Sequence, residues 1–256
     1  MGRCIAVAWK KRIVKYSIIF FAVLALILCA SWITKLERTS INTIVVVGNI
    51  DVTSAEIESV VRGQIDSSYV SLFSKSSSFL VPKHDIAELI RTTFPRIEQV
   101  DVDVESFHIL NVKIKEREAV AIWCAAIKCY LVDSTGYIFS EYIEPTEQTI
   151  VVGDTSELPR LFGMDELVGS VPVGNRVYTE RLFNDILRAL NEIETIGYKV
   201  ERVTVRSRDE IVFDIEHNGN ILFSDRKPFD VSLDNFKASL HSNALSSSTQ
   251  FEYIDV

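Results

Sequence analysis

The apolar residues of this chain begin with one long run near the N-terminus. Residues 16–34 are nineteen residues without a charge. As a helix they span roughly 28 Å at 1.5 Å per residue, close to the hydrocarbon core of about 30 Å. Tyr16 and Trp32 lie near the two ends, where amphipathic rings favour the headgroup level. The pattern predicts a transmembrane helix at 16–34.

Charge gives this helix a direction. Residues 1–15 carry five basic residues and no acid, and such a segment stays in the cytoplasm. A cleaved signal peptide also starts basic and apolar, but its apolar region is usually about 7–15 residues long and ends in a small-x-small site. Leu28-Cys29-Ala30 makes a poor site, and bulky Leu28 argues against lipidation of Cys29. We expect an uncleaved anchor with residues 35–256 exported.

The next apolar positions predict a small mixed domain at 43–116, after a linker at 35–42. A β-branched run ending in Gly48 predicts a buried strand. Thr53 and Glu56 have the spacing of a capping box and begin a helix. The serine-rich residues 66–78 are expected to form a loop.

The rest of this domain adds a helix and two strands. A second helix at 83–94 is ended by Pro95. Apolar and polar residues then alternate over 100–105 and 110–115, which predicts two half-buried strands joined by a turn near 106–108. The order β-α-α-β-β predicts a three-stranded sheet covered on one face by two helices.

Residues 117–256 favour strands, with two helices between them. Strands are expected at 120–124, 129–132, 137–140, 199–206, 210–216, 221–223 and 251–256. Helices are expected at 177–195, stopped by Gly197, and at 233–245. Asn218-Gly219 is a strong hairpin signal. The fold class is therefore α+β: one transmembrane helix, the β-α-α-β-β domain, and a mostly antiparallel β domain with two helices.

Composition argues against several functions. The net charge is −8, and outside residues 1–15 there are 22 basic against 35 acidic residues, a net of −13. So acidic a body does not favour nucleic acid. The four histidines lack zinc-site spacing, there is no G-x-S-x-G, and the glycines at 169 and 174 are followed by Asn175 and Arg176 where a phosphate-binding loop needs Lys and Ser or Thr. We predict no enzyme: no catalytic residue, cofactor, metal or small-molecule substrate.

Two cysteines are candidates for a disulfide. Cys124 and Cys129 flank the four-residue turn 125–128 and lie opposite each other if the flanking strands pair in that register. Non-hydrogen-bonded cross-strand neighbours have Cα atoms about 4.5 Å apart, which is within disulfide range. An oxidising compartment would permit the bond. The alternative is two buried free thiols.

The last residues are candidates for partner binding. They have strand composition, with two acids and no proline, and unpaired strand edges are normally protected. We expect a partner segment to add beside this strand by β-augmentation. Either alternate set could face the core, and an interior or disordered terminus is the alternative. The candidate residues are Phe251, Glu252, Tyr253, Ile254, Asp255 and Val256.

Five segments together resemble the bacterial cell-division family FtsQ/DivIB. They are IVVVGNIDVTSAEIESVV at 44–61, IAELIRTTFPRIEQVDVDV at 86–104, LNVKIKEREAVAIW at 110–123, LVDSTGYIF at 131–139 and LPRLFG at 158–163. The chain differs from the family at Arg96, where tryptophan is frequent, and at Asp103 and Glu105, where basic residues are usual. The resemblance implies a polypeptide-transport-associated (POTRA) domain at 43–116 and an FtsQ/DivIB-type β domain at 117–256.

The resemblance also implies a function and a place. The expected protein is a non-enzymatic scaffold at the division septum, anchored in the bacterial cytoplasmic membrane, that links early and late septal proteins. Its expected partners are small coiled-coil bitopic division proteins, which dock at the last strand. The runner-up is a POTRA-containing export or assembly factor that binds exported chains by strand addition. A third interpretation is an anchored stress-sensing or adhesion domain.

Overall fold

A computed structural model describes residues 2–34, 39–69, 73–125, 128–144, 158–163, 172–207, 210–216, 219–224, 229–240 and 253–255. The chain divides into two compact units, residues 1–116 and 117–256. Helix α1 (Gly2–Thr34) contains the apolar stretch Lys15–Thr34. Among the described residues, α1 is the one helix long and apolar enough to cross a membrane, a property that an anchor and a signal sequence share.

The first unit has a three-stranded sheet and two helices. Its elements are β1 (Thr43–Val47), α2 (Ser54–Ile65), β2 (Ser68–Tyr69), β3 (Phe73–Ser74), α3 (Lys83–Thr93), β4 (Ile97–Ser106) and β5 (Ile109–Glu116). The sheet order is β1-β5-β4, with β1 parallel and β4 antiparallel to β5. The expected three-stranded sheet and the turn at 106–108 are thus confirmed.

The core of this unit lies between the sheet and the helices. Thr53 Oγ1 accepts from the Glu56 N–H, and the Glu56 carboxylate accepts from the Thr53 N–H, so the capping box is confirmed. The core of the unit contains the fully buried residues of α2 and α3, which pack with Leu110 and Val112 of the sheet. These helical residues are Ile57, Val61, Ile65, Ile86 and Ile90.

The expectation that residues 66–78 form only a loop is wrong, because two short strands lie within them. Strands β2 and β3 pair antiparallel, Ser68 with Ser74 and Tyr69 with Phe73. A two-residue strand is too short to show an alternating pattern in the sequence. The Lys75 N–H also donates to the Ser67 carbonyl, which extends the pairing of these two strands.

The second unit has one eight-stranded sheet. Its order is β13-β12-β11-β10-β9-β6-β7-β8, with antiparallel pairs β12-β11, β11-β10, β6-β7 and β7-β8 and parallel pairs β13-β12, β10-β9 and β9-β6. The elements are β6 (Ala121–Ala125), β7 (Lys128–Val132), β8 (Ile138–Tyr142), β9 (Arg160–Phe162), α4 (Glu180–Ile196), β10 (Val200–Ser207), β11 (Glu210–Ile215), β12 (Gly219–Phe223), α5 (Phe229–Leu240) and β13 (Tyr253–Asp255).

Two apolar clusters build this unit. The larger includes the inner residues of α4 and α5, with Trp123, Phe183, Phe213, Phe223 and Phe236 fully buried. A smaller cluster contains Ile122, Cys124, Leu131, Phe139 and Tyr142. Alternate residues of a strand point to opposite faces. Ile122 and Trp123, neighbours on β6, therefore place the two clusters on opposite faces of the sheet.

The helix predicted from 177 begins at Glu180. Thr179 is extended and its side chain accepts from the Leu182 N–H, so it is the N-cap. Val177 and Tyr178 precede the helix but are also buried. Their apolar side chains therefore made the predicted helix begin too early. The predicted stop at Gly197 is confirmed, with φ of 107°.

Candidate partner-binding strand edge

The candidate partner-binding strand lies at one end of the eight-stranded sheet. The parallel pairing of β13 with β12 places Tyr253 beside Asn220, Ile254 beside Ile221 and Asp255 beside Leu222. Phe251, Glu252 and Val256 lie outside the described residues. Within the part of the chain that the structure describes, no strand pairs with the outer side of β13.

The sheet beneath this edge is well packed. The ring of Phe223 on β12 lies 5.1 Å from that of Phe213 on β11 and is stacked at 5.6 Å on that of Phe229, the first residue of α5. Helix α5 is tied to α4 by Lys237–Glu192 at 2.7 Å. The hydrogen bond to Glu192 raises the pKa of Lys237. Strand β12, with which β13 pairs, is therefore held by packing against β11 and α5.

At the opposite edge of the same sheet, another segment of the chain forms hydrogen bonds with the start of β8. The first residue of β8, Ile138, donates its N–H to the Asn175 carbonyl, and its own carbonyl accepts from the Gly174 N–H, both at 2.9 Å. The Val177 N–H reaches the Gly136 carbonyl, also at 2.9 Å. The chain itself therefore covers the start of β8. This segment includes the residues weighed as a phosphate-binding loop; its first part, 169–171, lies outside the described residues.

Cys124 and Cys129 face each other across β6 and β7. They are register partners with Cα atoms 4.0 Å apart, and they are joined by a disulfide. On the next strand, Glu141 bonds Lys128 at 2.8 Å and raises the pKa of that lysine. The disulfide joins β6 to β7 near the end of their hairpin, beside the smaller apolar cluster.

An ion cluster that the sequence analysis missed holds the end of β5. The Glu116 carboxylate accepts the N–H groups of Ile50 at 2.7 Å, Asp51 at 3.1 Å and Val52 at 3.1 Å. Arg96 bonds it through Nε at 3.2 Å and also pairs with Asp51. The arginine that differs from the FtsQ/DivIB pattern thus has a structural partner. Glu116 follows Leu110, Val112 and Ile114 in the alternation of buried residues on β5. An acid at a buried position of this alternation is the sequence feature that could have predicted the ion cluster.

A second buried carboxylate organises the turn after β7. Asp133 Oδ1 accepts from the Thr135 N–H at 2.8 Å, the Thr135 hydroxyl at 2.7 Å and the Tyr137 N–H at 3.1 Å. Arg117 pairs with its other oxygen and lies over the Tyr137 ring. Burial alone would raise the pKa of Asp133, but the hydrogen bonds from Thr135, Tyr137 and Arg117 lower it.

Two motif glycines permit close strand approach. A Cβ on Gly48, at φ 91°, would lie 2.2 Å from the Ile114 carbonyl oxygen. A Cβ on Gly163, at φ 104°, would lie 2.1 Å from the Val205 carbonyl oxygen. Each glycine directly follows a parallel strand, β1 or β9, and lets the chain leave that strand against its neighbour.

Several acidic side chains and two histidines of the first unit make contacts at its surface. On β4, Asp103 bonds Lys83 at 3.2 Å and Glu98 bonds Lys115 at 2.7 Å. His84 lies 3.7 Å from Glu88, and the His108 ring bonds the Ser40 carbonyl. His217 and His241 lie outside the described residues. Among the residues described, no three His, Cys, Asp or Glu side chains are grouped to hold a metal ion.

Comparison with known proteins adds no relative. No protein-family model matches the chain, and no curated protein matches it. Membership of the FtsQ/DivIB family therefore stays a prediction from the five segments quoted above.

Proposed function

We propose that this chain is a non-enzymatic membrane-anchored scaffold of the bacterial cell-division machinery, of the FtsQ/DivIB kind. Helix α1 anchors it in the cytoplasmic membrane with the N-terminus inside, and the exported part links early and late septal proteins. The observation that carries the proposal is the place of β13, a parallel strand at the end of an eight-stranded sheet, where FtsQ/DivIB proteins are expected to bind partners.

The architecture of the first unit supports a POTRA domain at 43–116. The order β1-α2-α3-β4-β5, with β1 parallel and β4 antiparallel to a central β5, is the expected β-α-α-β-β arrangement, into which the hairpin β2–β3 is inserted. The eight-stranded sheet with α4 and α5 supports the FtsQ/DivIB-type β domain at 117–256.

The partners are small coiled-coil bitopic division proteins, and strand addition is the mode of binding. A segment from a partner pairs with the outer side of β13, so that backbone hydrogen bonds give affinity and alternate side chains give selectivity. The parallel pairing of Ile254 with the buried Ile221 adds β13 to the sheet as its last described strand, which supports this mode.

Proline substitution tests this mode, because proline removes one backbone N–H and fixes φ. In a parallel strand, successive residues direct their backbone groups to opposite sides, so one of Tyr253→Pro and Ile254→Pro removes an outer N–H and the other an inner one. The outer variant should keep the melting temperature and lose the coiled-coil partners in co-purification from membranes. The controls Tyr253→Ala and Ile254→Ala keep the N–H.

Each outcome discriminates. We expect the proline variant that folds normally to retain less than a tenth of the partner, and its alanine control to retain most of it. Full binding of the partner by every proline variant that folds normally would contradict docking at β13. In cells, a fluorescent fusion should form midcell bands and depletion should cause filamentation without lysis; uniform envelope signal would contradict a role in division.

A second candidate is a POTRA-containing export or assembly factor, and strand β1 favours it. This strand lies at the edge of the three-stranded sheet, and Val45 and Val47 are exposed on it. The factor would bind exported chains by strand addition there. If Val45→Lys/Val47→Lys abolished function in cells while the β13 proline variants did not, the second candidate would be preferred.

A further inference from the structure

Two exposed phenylalanines form a pair on the first unit. Phe79 lies in the turns between β3 and α3, and Phe107 lies in the turn between β4 and β5. Their side chains are 67% and 56% exposed, and their ring centroids are 5.6 Å apart. Two large apolar rings that pack on each other while facing outward indicate an interaction surface. We call it the Phe79–Phe107 pair.

This pair lies at the end of the unit where α1 joins it. The Thr39 hydroxyl donates to the Ile33 carbonyl in the last turn of α1 at 3.0 Å, and the Ser78 N–H donates to the Thr39 carbonyl at 2.8 Å. On the other side, the His108 carbonyl accepts the Thr43 N–H at 3.0 Å. Each phenylalanine is therefore the chain neighbour of a residue bonded to the segment that follows α1.

We propose that the Phe79–Phe107 pair inserts into the membrane interface beside the point where α1 leaves the bilayer. The inference rests on the proposed anchoring of the chain by α1. The stretch Lys15–Thr34 has 20 residues, about 30 Å of helix, so Thr34 lies at the edge of the hydrocarbon core when the helix crosses the membrane. Aromatic residues close to that level lie at the boundary between headgroups and acyl chains.

Lipid is the proposed occupant because each phenylalanine is the chain neighbour of a residue bonded to the segment that directly follows the membrane helix. Among the described residues, two hydrogen bonds, from Thr39 to Ile33 and from Ser78 to Thr39, connect the last turn of α1 to the residue before Phe79. Ser76, in the turns that precede Phe79, accepts a hydrogen bond from the Ser40 hydroxyl at 3.1 Å, so polar groups lie in the chain close to the pair. A single helix leaves the unit free to tilt, and a second contact with the bilayer would hold one end of the sheet against the surface.

Tryptophan quenching by brominated lipid tests the pair in the full chain. The probe is Phe107→Trp in a Trp9→Phe/Trp32→Phe background, reconstituted in nanodiscs of brominated phosphatidylcholine; the remaining Trp123 is buried. The matched control is Ile50→Trp, since Ile50 is 69% exposed in the same unit. It lies beyond the far end of β1, which begins beside His108 and runs about 13 Å over its five residues.

The proposal predicts that Phe107→Trp is quenched at least twofold more than Ile50→Trp. Equal quenching of the two, strong or weak, would overturn it. Phe79→Trp is the second probe if Phe107→Trp does not fold. The Trp9→Phe chain reports separately on α1, because it keeps only the exposed Trp32 of that helix and the buried Trp123. Quenched Trp32 with an unquenched pair refutes only the present inference, whereas unquenched Trp32 refutes the anchor and the inference together.

Discussion

Replacing Glu116 by alanine should destabilise the first unit locally and strongly. Its side chain is only 4% exposed, and it accepts hydrogen bonds from three consecutive backbone N–H groups, those of Ile50, Asp51 and Val52, as well as from Arg96. The change removes every one of these acceptors at once. The loop that leads from β1 into α2 would lose its contact with the end of β5.

The size of the effect follows from the geometry. Breaking a buried ion pair by removing one partner costs about 3–5 kcal/mol. Water reaches part of this site, because Ile50 is exposed and the Arg96 and Asp51 side chains are 23% and 24% exposed. We therefore expect about 3 kcal/mol for Glu116→Ala, a loss of roughly 100-fold in the equilibrium constant. Glu116→Gln keeps the shape and one good acceptor, so about half that loss is expected.

Hydrogen exchange measured by mass spectrometry reads this effect directly. Peptides covering residues 49–62 should exchange roughly 100-fold faster in Glu116→Ala, since local opening controls their exchange. Glu118→Ala is the matched control, because it removes the same group from an exposed position two residues along. Unchanged exchange in Glu116→Ala, or equal acceleration by Glu118→Ala, would refute the reasoning.

The disulfide, the membrane topology and the buried Asp133 can each be tested. Non-reducing peptide mass spectrometry should find Cys124 linked to Cys129, and two alkylatable thiols at these positions would contradict the bond. Protease added outside spheroplasts should digest residues beyond about 35 and leave the N-terminus protected, and a mature N-terminus near Ser31 would instead indicate a cleaved signal. Because the pKa of Asp133 is lowered in the folded state, its stabilising effect is present above the ordinary aspartate value of 3.8 and is lost as pH falls through the lowered folded pKa. Asp133→Asn should therefore be less stable near neutral pH and show a shallower acid limb in urea unfolding; an unchanged pH profile would contradict this.

The sequence correctly predicted the features that depend on residues a few positions apart. The capping box at Thr53 and Glu56, the stop at Gly197 and the opposed positions of Cys124 and Cys129 are all found in the structure. Each depends on residues a few positions apart, whose spacing determines the hydrogen bonds or the register. The alternation that predicted β4 and β5 is equally local, because their turn fixes the pairing.

Features made by distant residues were not predictable in this way. Strand β9 has three residues and pairs in parallel with β6 and β10, so nothing near it in sequence marks it as a strand inside the sheet. The cluster around Glu116 joins residues 20 and 65 positions away, and the Phe79–Phe107 pair joins two separate turns. Helix α5 begins at Phe229, four residues earlier than expected, and its first residue stacks on Phe223 of β12, a contact that the local pattern does not contain.

The edge of β13 is the central claim, and its backbone amides report on it most directly. Hydrogen exchange of the peptide spanning 251–256 should be measured in the full chain, with and without a saturating amount of a coiled-coil division partner. Strand addition predicts slower exchange, at least tenfold, at an outward amide within Tyr253–Asp255, because that N–H becomes bonded to the partner. Exchange that is unchanged while the partner is bound would contradict the account.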